Sequence, residues 1–411
     1  MSEAATNAAV EAVARDSYGR LIAYLAARSG DVAGAEDALG DAFVAALRRW
    51  PEDGVPGKPE AWLLRAARHR LIDAARHLEV RHAAEGFLQQ LIEEEGPAVT
   101  THEPIPDERL KLLFVCAHPA IDAAARTPLM LQTVLGIEAE RIASAFLVSP
   151  AAMSQRLVRA KSKIREAAIP FLVPEPPEWE ERVAFVLEAI YAAYTTGWES
   201  LGEAGATHHA LAGEAIALGR VLLHLMPQEP EARGLLALML HCEARRAARF
   251  TAEGTFVPLD EQDCALWSPA LITEAEHHLC LAAAARRPGR FQLEAAIQSI
   301  HADRAVTGRI DWQEILLLYQ GLIHFTPGAG ALVGRAVALA EAGDAAAGLA
   351  ALDAIPAGRV PSYQPYWAAR GHVLRRLGHN REAHESLTRA ASLSDDPALR
   401  RHLLAKAGQW E

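Results

Sequence analysis

Apolar residues recur at the spacing of an α-helix along most of this chain, and no run of residues alternates between apolar and polar as a half-buried strand would. Alanine is in excess, whereas the β-branched residues that favour strands are few. This pattern predicts an all-α protein. A length of 411 residues allows about two or three domains, each with a core of its own.

Turn-forming and proline-rich stretches divide the helical pattern into four segments. Residues 1–82 are predicted to form several helices, interrupted by the turn-rich residues 51–59. Residues 83–106 are acidic and poorly periodic, which indicates a linker. Residues 107–172 are again helical and end at a proline hinge, after which residues 173–411 form a larger helical domain.

The end of the last segment contains an internal repeat. Residues 366–393 place small and large apolar residues at the spacings of a tetratricopeptide (TPR) helix pair, and comparable residues stand about one 34-residue period earlier. Small residues such as Gly348 and Gly371 would let two helices approach closely where they cross. We expect stacked helical hairpins here, with a non-repeating helical domain as the alternative.

The most basic segment runs from Ser149 to Arg165 and contains five Lys or Arg residues and no acidic residue. Ser149 and Pro150 are a favourable N-cap and first-turn pair. Apolar residues then follow at helical spacing and predict one buried stripe: Met153, Leu157, Ala160 and Ile164. With the preceding helix, residues 138–146, the pattern is that of a helix-turn-helix whose second helix enters the DNA major groove.

The residues predicted to contact DNA from this second helix are short at its start, for close approach to base edges, and basic or amide-bearing further on. They are Ser149, Ala151, Ala152, Gln155, Arg156, Arg159, Lys161 and Lys163. The alternative is a solvated basic face on an ordinary bundle helix.

A second basic helix is predicted over residues 59–77. One side of it is apolar, and the other carries basic residues beside a tryptophan and a turn-rich loop. Such a surface could hold single-stranded bases by stacking and charge, although a solvated helix with a core tryptophan would give the same pattern. The candidate residues are Trp62, Arg65, Arg68, His69, Asp73 and Arg76.

Other function classes find little support in the sequence. The four cysteines contain no CxxC pair, and neither a secretory signal nor a membrane span is recognisable, so we expect a reduced cytoplasmic protein without disulfides. We find no catalytic constellation and no metal-ligand spacing, and we therefore expect no enzyme activity, no cofactor and no metal. The net charge of −11 alone would argue against DNA binding, but the charge lies in blocks.

The order of these elements resembles a known family. Residues 35–43, 50–54 and 61–63 are similar to conserved region 2 of bacterial sigma-70 superfamily factors, and the helix-turn-helix is similar to their region 4. Only a short linker joins them, as in the extracytoplasmic-function (group IV) type. Residues 113–119, 156–165, 169–171, 291–297 and 311–312 resemble the subgroup that carries a long C-terminal TPR-like extension.

The resemblance implies an alternative sigma factor. Its partners would be promoter DNA and core RNA polymerase, which it would contact at the β′ clamp helices and the β flap. The helix at residues 59–77 would melt and capture the −10 element, and the helix at residues 149–165 would read the −35 element. Glu93, Glu94 and Glu95 of the linker would mimic phosphate charge, unless the linker is merely solvated. The residues implied to dock on polymerase are Asp37, Asp41, Arg48, Arg49 and Trp50.

Two positions depart from the family pattern. His69 stands where many relatives have Asn, and Gly40 replaces a residue that is commonly Gln, so −10 specificity and one docking contact are in doubt. We expect the C-terminal domain to regulate in cis, through contact with the sigma domains or with polymerase. The alternatives from other classes are a stand-alone helix-turn-helix regulator and a TPR-type protein-interaction adaptor.

Overall fold

The computed structural model describes residues 3–79, 107–146, 148–175, 179–199, 205–356, 358 and 360–408, and it confirms the all-α fold class. Within these ranges the regular structure is helical, apart from one isolated bridge between Phe250 and Phe256. The predicted linker, residues 83–106, lies outside the described residues.

The helices of the first half of the chain are given first. Their bounds are α1 Glu3–Ser29, α2 Val32–Asp53, α3 Pro59–Glu79, α4 Arg109–Cys116, α5 Ala123–Thr133, α6 Ala139–Ala145, α7 Pro150–Glu166, α8 Trp179–Glu199 and α9 Gly205–Leu225. The later helices are α10 Pro230–Ala244, α11 Pro269–Ala284, α12 Arg290–Ala302, α13 Arg304–Thr307, α14 Trp312–Phe325, α15 Ala329–Glu341, α16 Ala345–Asp353, α17 Gln364–Arg376, α18 Asn380–Ser392 and α19 Pro397–Gly408.

The described residues divide into two compact units. The first contains those up to Trp198 together with residues 206–218, and the second contains Glu199, Gly205 and those from Gly219 onward. The division thus falls later than residue 173, where the sequence predicted the C-terminal domain to begin. The reason is tertiary, because helices beyond the proline hinge bond to the first unit. Arg126 stacks over the Phe185 ring at 4.5 Å, and Arg109 pairs with Glu214.

Helices α1, α2 and α3 pack on one another around a core of fully buried aliphatic side chains, among them Leu21, Leu39 and Leu63. The interruption predicted at residues 51–59 begins later than Pro51, which lies inside α2. Helix α2 ends instead at Gly54, whose backbone has a positive φ of 87° and whose N–H donates to the carbonyl of Trp50 at 3.0 Å. A residue without a Cβ adopts this conformation without strain.

In the second unit, the helices at the predicted repeat pack closely in pairs. Gly348 of α16 lies so close to α15 that an added Cβ would stand 2.7 Å from the Ala336 carbonyl oxygen. Gly371 of α17 is placed likewise, 2.7 Å from Cγ of Leu387 in α18. The small residues therefore stand at helix crossings, as their spacing indicated.

Candidate nucleic-acid interface

Helix α2 presents an exposed stripe in which charge surrounds an apolar centre. Asp37 and Asp41 lie before the apolar centre in the sequence, and Arg48 and Arg49 lie after it. All four side chains are exposed. Val44 and Leu47 between them are 47% and 42% exposed. Sequence reasoning missed these two residues, although apolar residues on the polar side of an amphipathic helix are a readable signal. An apolar centre with a charged rim is typical of a protein-binding surface.

Trp50 does not belong to this stripe, which corrects its expected role as a polymerase contact. Its side chain is only 1% exposed, and its ring lies edge-on to Trp62 of α3 with the centroids 5.5 Å apart. The turn at Gly54 folds α3 back over the end of α2 and covers the indole. Trp50 therefore supports the α2–α3 corner from within.

The basic side of α3 is open to solvent. Arg65, His69 and Asp73 are exposed, and Arg68 and Trp62 are partly buried. The Trp62 ring is held against Trp50, which fixes its orientation at the start of the helix. The sixth candidate, Arg76, lies in α3, but its side chain is outside the described part of the structure.

Helix α7 begins and packs as its sequence predicts. The Ser149 hydroxyl accepts a hydrogen bond from the Ala152 N–H at 3.3 Å, and Pro150 occupies the first helical position. Its buried residues are the four of the predicted stripe: Met153, Leu157, Ala160 and Ile164. The local signals therefore determine both the start of this helix and its rotation about its axis.

The opposite face of α7 presents most of the predicted DNA contacts. Its exposed members are Ser149, Ala151, Ala152, Gln155, Arg159 and Lys163. Arg156 is partly buried, and its guanidinium reaches the Ala124 carbonyl oxygen at the start of α5, 3.4 Å away. Val158 is also exposed between the polar residues. Sequence reasoning did not select Val158, although apolar contacts to thymine methyl groups are part of base readout.

Lys161 is the exception among the predicted contacts. Its ammonium pairs with the Glu36 carboxylate of α2 at 2.5 Å, and the two side chains are only 11% and 17% exposed. Arg165 adds a longer pair with Asp31, at 3.4 Å. The sequence showed no acid that balances the bases of α7, because the balancing acids come from α2 and from the residue that caps it. In this arrangement Lys161 is not available to a phosphate.

Two glycines allow the first helix to pack against the segment that follows α5. A Cβ on Gly19 would stand 1.7 Å from the Val134 carbonyl oxygen, so α1 meets backbone here. Gly136 has a positive φ of 66° and lies against the ring of Tyr18. Burial and, secondarily, Glu36 raise the pKa of this tyrosine. Helices α1–α3 and α4–α7 therefore form a shared, close-packed core.

Comparison with known proteins gives this arrangement a context. Residues 14–80, which span most of α1 and all of α2 and α3, match sigma-70 region 2. This N-terminal match supports a place for the chain in the sigma-70 superfamily. The proteins of this superfamily are transcription initiation factors that act with core RNA polymerase on promoter DNA, and they are not enzymes.

Further matches extend along the chain. An uncharacterized protein of Rhizobium meliloti (strain 1021) is 39% identical over 365 residues, which cover 88% of this chain and 86% of that protein. Residues 182–284, from α8 to the end of α11, match a family of unknown function (DUF6596). No solved structure matches the chain.

Three features of the described ranges bear on other site classes. In those ranges no group of three or more His, Cys, Asp or Glu residues could hold a metal ion. All four cysteines are free thiols. Among the described helices, none combines the length and the apolar character needed to cross a membrane.

Proposed function

We propose that this chain is an alternative sigma factor of the extracytoplasmic-function type, which binds core RNA polymerase and directs promoter recognition, −10 melting and transcription initiation. The observation that carries the proposal is the match of α1–α3 to sigma-70 region 2, together with two exposed surfaces on these helices. One surface suits a protein and the other suits a nucleic acid.

Polymerase docking is assigned to the exposed stripe of α2. Val44 and Leu47 form its apolar centre, with Asp37 and Asp41 on one side and the arginines 48 and 49 on the other. Burial of the apolar centre supplies affinity, and the charged rim sets the orientation of the partner. Gly40 lies on this stripe, and no atom stands within 4 Å of the place of a Cβ there, so the surface is open at this point.

Capture of the −10 element is assigned to α3. Trp62 is partly exposed and held by Trp50, so it offers an oriented aromatic ring next to the exposed Arg65 and His69. Aromatic stacking on unpaired bases and attraction of the phosphates together stabilise a single strand. Melting is then driven by binding of the separated strand, and catalysis is left to the polymerase.

Reading of the −35 element is assigned to α7. Ala151 and Ala152 at its start leave room for a base-pair edge, and Gln155 can donate to and accept from one. Arg159 and Lys163 are exposed and suit the flanking phosphates, which supply sequence-independent affinity. The preceding helix α6 would lie across the groove, as in a helix-turn-helix.

We assign a regulatory role in cis to the C-terminal helices, which begin after the proline hinge in the sequence-based division. Stacked helical hairpins offer extended concave surfaces for a partner. The hairpin packing at Gly348 and Gly371 supports this architecture.

The proposal is tested by transcription from a library of random-sequence DNA of promoter length, using core polymerase with and without the full chain. We expect chain-dependent transcripts whose templates share an upstream and a downstream motif. Gln155→Ala should relax the upstream motif alone, and Arg65→Ala should weaken opening at the downstream motif. Arg381→Ala, on the exposed surface of α18, is the control and should change neither. Absence of chain-dependent transcripts would reject the proposal.

A further inference from the structure

A cavity of about 290 Å³ lies within the second unit, among its last three helices. Helices α17 and α19 form its two walls, and Leu387 of α18 lies at its base. Phe256, from the segment between α10 and α11, closes one end. The volume is close to the lower end of the range for small-molecule pockets, which is about 300–1,000 Å³.

One half of this cavity is apolar and structurally fixed. Leu387 and Leu403 are each only 5% exposed, so they belong to the packed core of the hairpin. The Phe256 ring is oriented by edge-on contacts with Phe250 and with His402, at centroid distances of 5.9 and 5.5 Å. The apolar half is therefore formed before any ligand arrives, and such preorganisation favours binding.

The other half carries basic side chains and no carboxylate. Its basic lining residues are His372, Arg375, His402 and Lys406. The nearest acids bind from outside the cavity, where Glu341 bonds to His372 Nε2 at 2.7 Å and Glu261 pairs with Lys406 Nζ at 3.2 Å. Neither acid lines the cavity itself.

Arg375 differs from His372 and Lys406 in this half, because no acid pairs with it among the described residues. Its side chain is partly buried, and in the described part of the chain no hydrogen bond or ion pair satisfies its guanidinium. A partly desolvated guanidinium gains most from a carboxylate, which accepts two parallel hydrogen bonds from it. The neighbouring Arg376, by contrast, is paired with Glu341.

We propose that this cavity binds a small amphipathic organic anion, with its carboxylate on Arg375 and its aliphatic or aromatic body against Phe256, Leu387 and Leu403. Charge complementarity selects the anion, because Arg375 and Lys406 line the cavity and no acid does. The volume limits the body to a short chain or a single ring. The inference stands apart from the sigma-factor proposal and assigns a ligand to the C-terminal helices.

The test is isothermal titration calorimetry of the full chain, without polymerase or DNA, using octanoate as the probe. Octanol, with the same tail and no charge, is the matched ligand control. We expect octanoate to bind with one site per chain and octanol to bind at least ten-fold more weakly. Arg375→Gln should weaken octanoate binding at least ten-fold, whereas Arg381→Gln, an exposed arginine on the adjacent helix, should leave it within two-fold.

Three results would overturn the inference. They are no octanoate binding at millimolar concentration, equal affinity for octanol, or equal loss of affinity in the two arginine variants.

A third ligand arm uses an apolar tetrapeptide with a free C-terminal carboxylate. If the peptide binds in an Arg375-dependent manner and octanoate does not, the cavity serves a protein partner and the small-molecule assignment is wrong. Because the assay needs no transcription, its failure leaves the proposed function untouched.

Discussion

Replacement of Lys161 by methionine tests whether this residue stabilises the fold or is held ready for DNA. Methionine retains the length of the side chain and removes its charge. It would leave the Glu36 carboxylate, 17% exposed, without its partner. Removal of one member of a fully buried pair costs about 3–5 kcal/mol, and exposed pairs contribute less than about 1. For a pair that is mostly buried we expect a loss of about 2–3 kcal/mol near pH 8.

The cost should depend on pH in a defined direction. Burial raises the pKa of Glu36 above its usual value, and Lys161 counteracts part of that rise. Some carboxyl groups have a higher pKa in the folded state than in the unfolded state, where it is about 4.3. Such a group destabilises the fold as the pH rises from the unfolded-state pKa through the folded-state pKa. Without Lys161 the folded pKa rises further, so the variant should lose more stability at pH 8 than at pH 5. The other groups that act on this cluster are Asp31, Asp37, Tyr18 and Cys116.

Cys116 of α4 supplies a local readout within the same unit. Its thiol is fully buried, and burial raises its pKa to about 12, so it reacts with a thiol reagent only when the unit opens. The labelling rate, resolved by mass spectrometry and divided by the wild-type rate at the same pH, follows the opening equilibrium. A loss of about 2 kcal/mol corresponds to labelling about 30-fold faster at pH 8. At pH 5 the ratio should be several-fold smaller.

Two further variants decide the interpretation. Lys163→Met removes an exposed charge from the same helix and should change labelling less than two-fold. The double variant Glu36→Gln/Lys161→Met contains no unpaired charge, so it should label much more slowly than Lys161→Met alone. Equal ratios at the two pH values, together with a double variant as unstable as the single one, would refute the assignment of Lys161 to the core.

Three other substitutions test packing with the same labelling assay or by thermal unfolding. Gly19→Ala places a Cβ 1.7 Å from the Val134 carbonyl oxygen and should destabilise the first unit by at least about 2 kcal/mol, since backbone must move. Gly40→Ala meets open space and should stabilise α2 by about 0.5–1 kcal/mol, seen as a higher Tm; a lower Tm would contradict the open surface. Trp50→Ala should cost about 3–5 kcal/mol, and a loss below about 1 kcal/mol would contradict its burial beneath Trp62.

Local features were predictable from the sequence to the extent that neighbouring residues determine them. The cap at Ser149 and the buried stripe of α7 were predicted in full, because both depend on residues within a few turns of one helix. The close helix approach at Gly348 and Gly371 was predicted for the same reason, since small residues recur there at a fixed spacing.

Features that depend on contacts distant in the sequence were missed. Nothing near Lys161 in the sequence indicates that Glu36, 125 positions away, is its partner. The sequence near Trp50 indicates a surface residue at the end of α2, whereas in the structure α3 covers its ring. The division between the two units also falls later than the proline hinge, because Phe185 and Glu214 lie beyond the hinge yet bond to the first unit.

The central claim is that α2 docks on core RNA polymerase, and co-elution of purified core polymerase with the full chain tests it most directly. Val44→Asp places a charge in the apolar centre of the stripe, and Val306→Asp is the matched control at a site 90% exposed in the second unit. The account predicts that wild type and Val306→Asp co-elute with polymerase and that Val44→Asp binds at least ten-fold more weakly. Absence of wild-type binding, or equal binding by all three proteins, would contradict it.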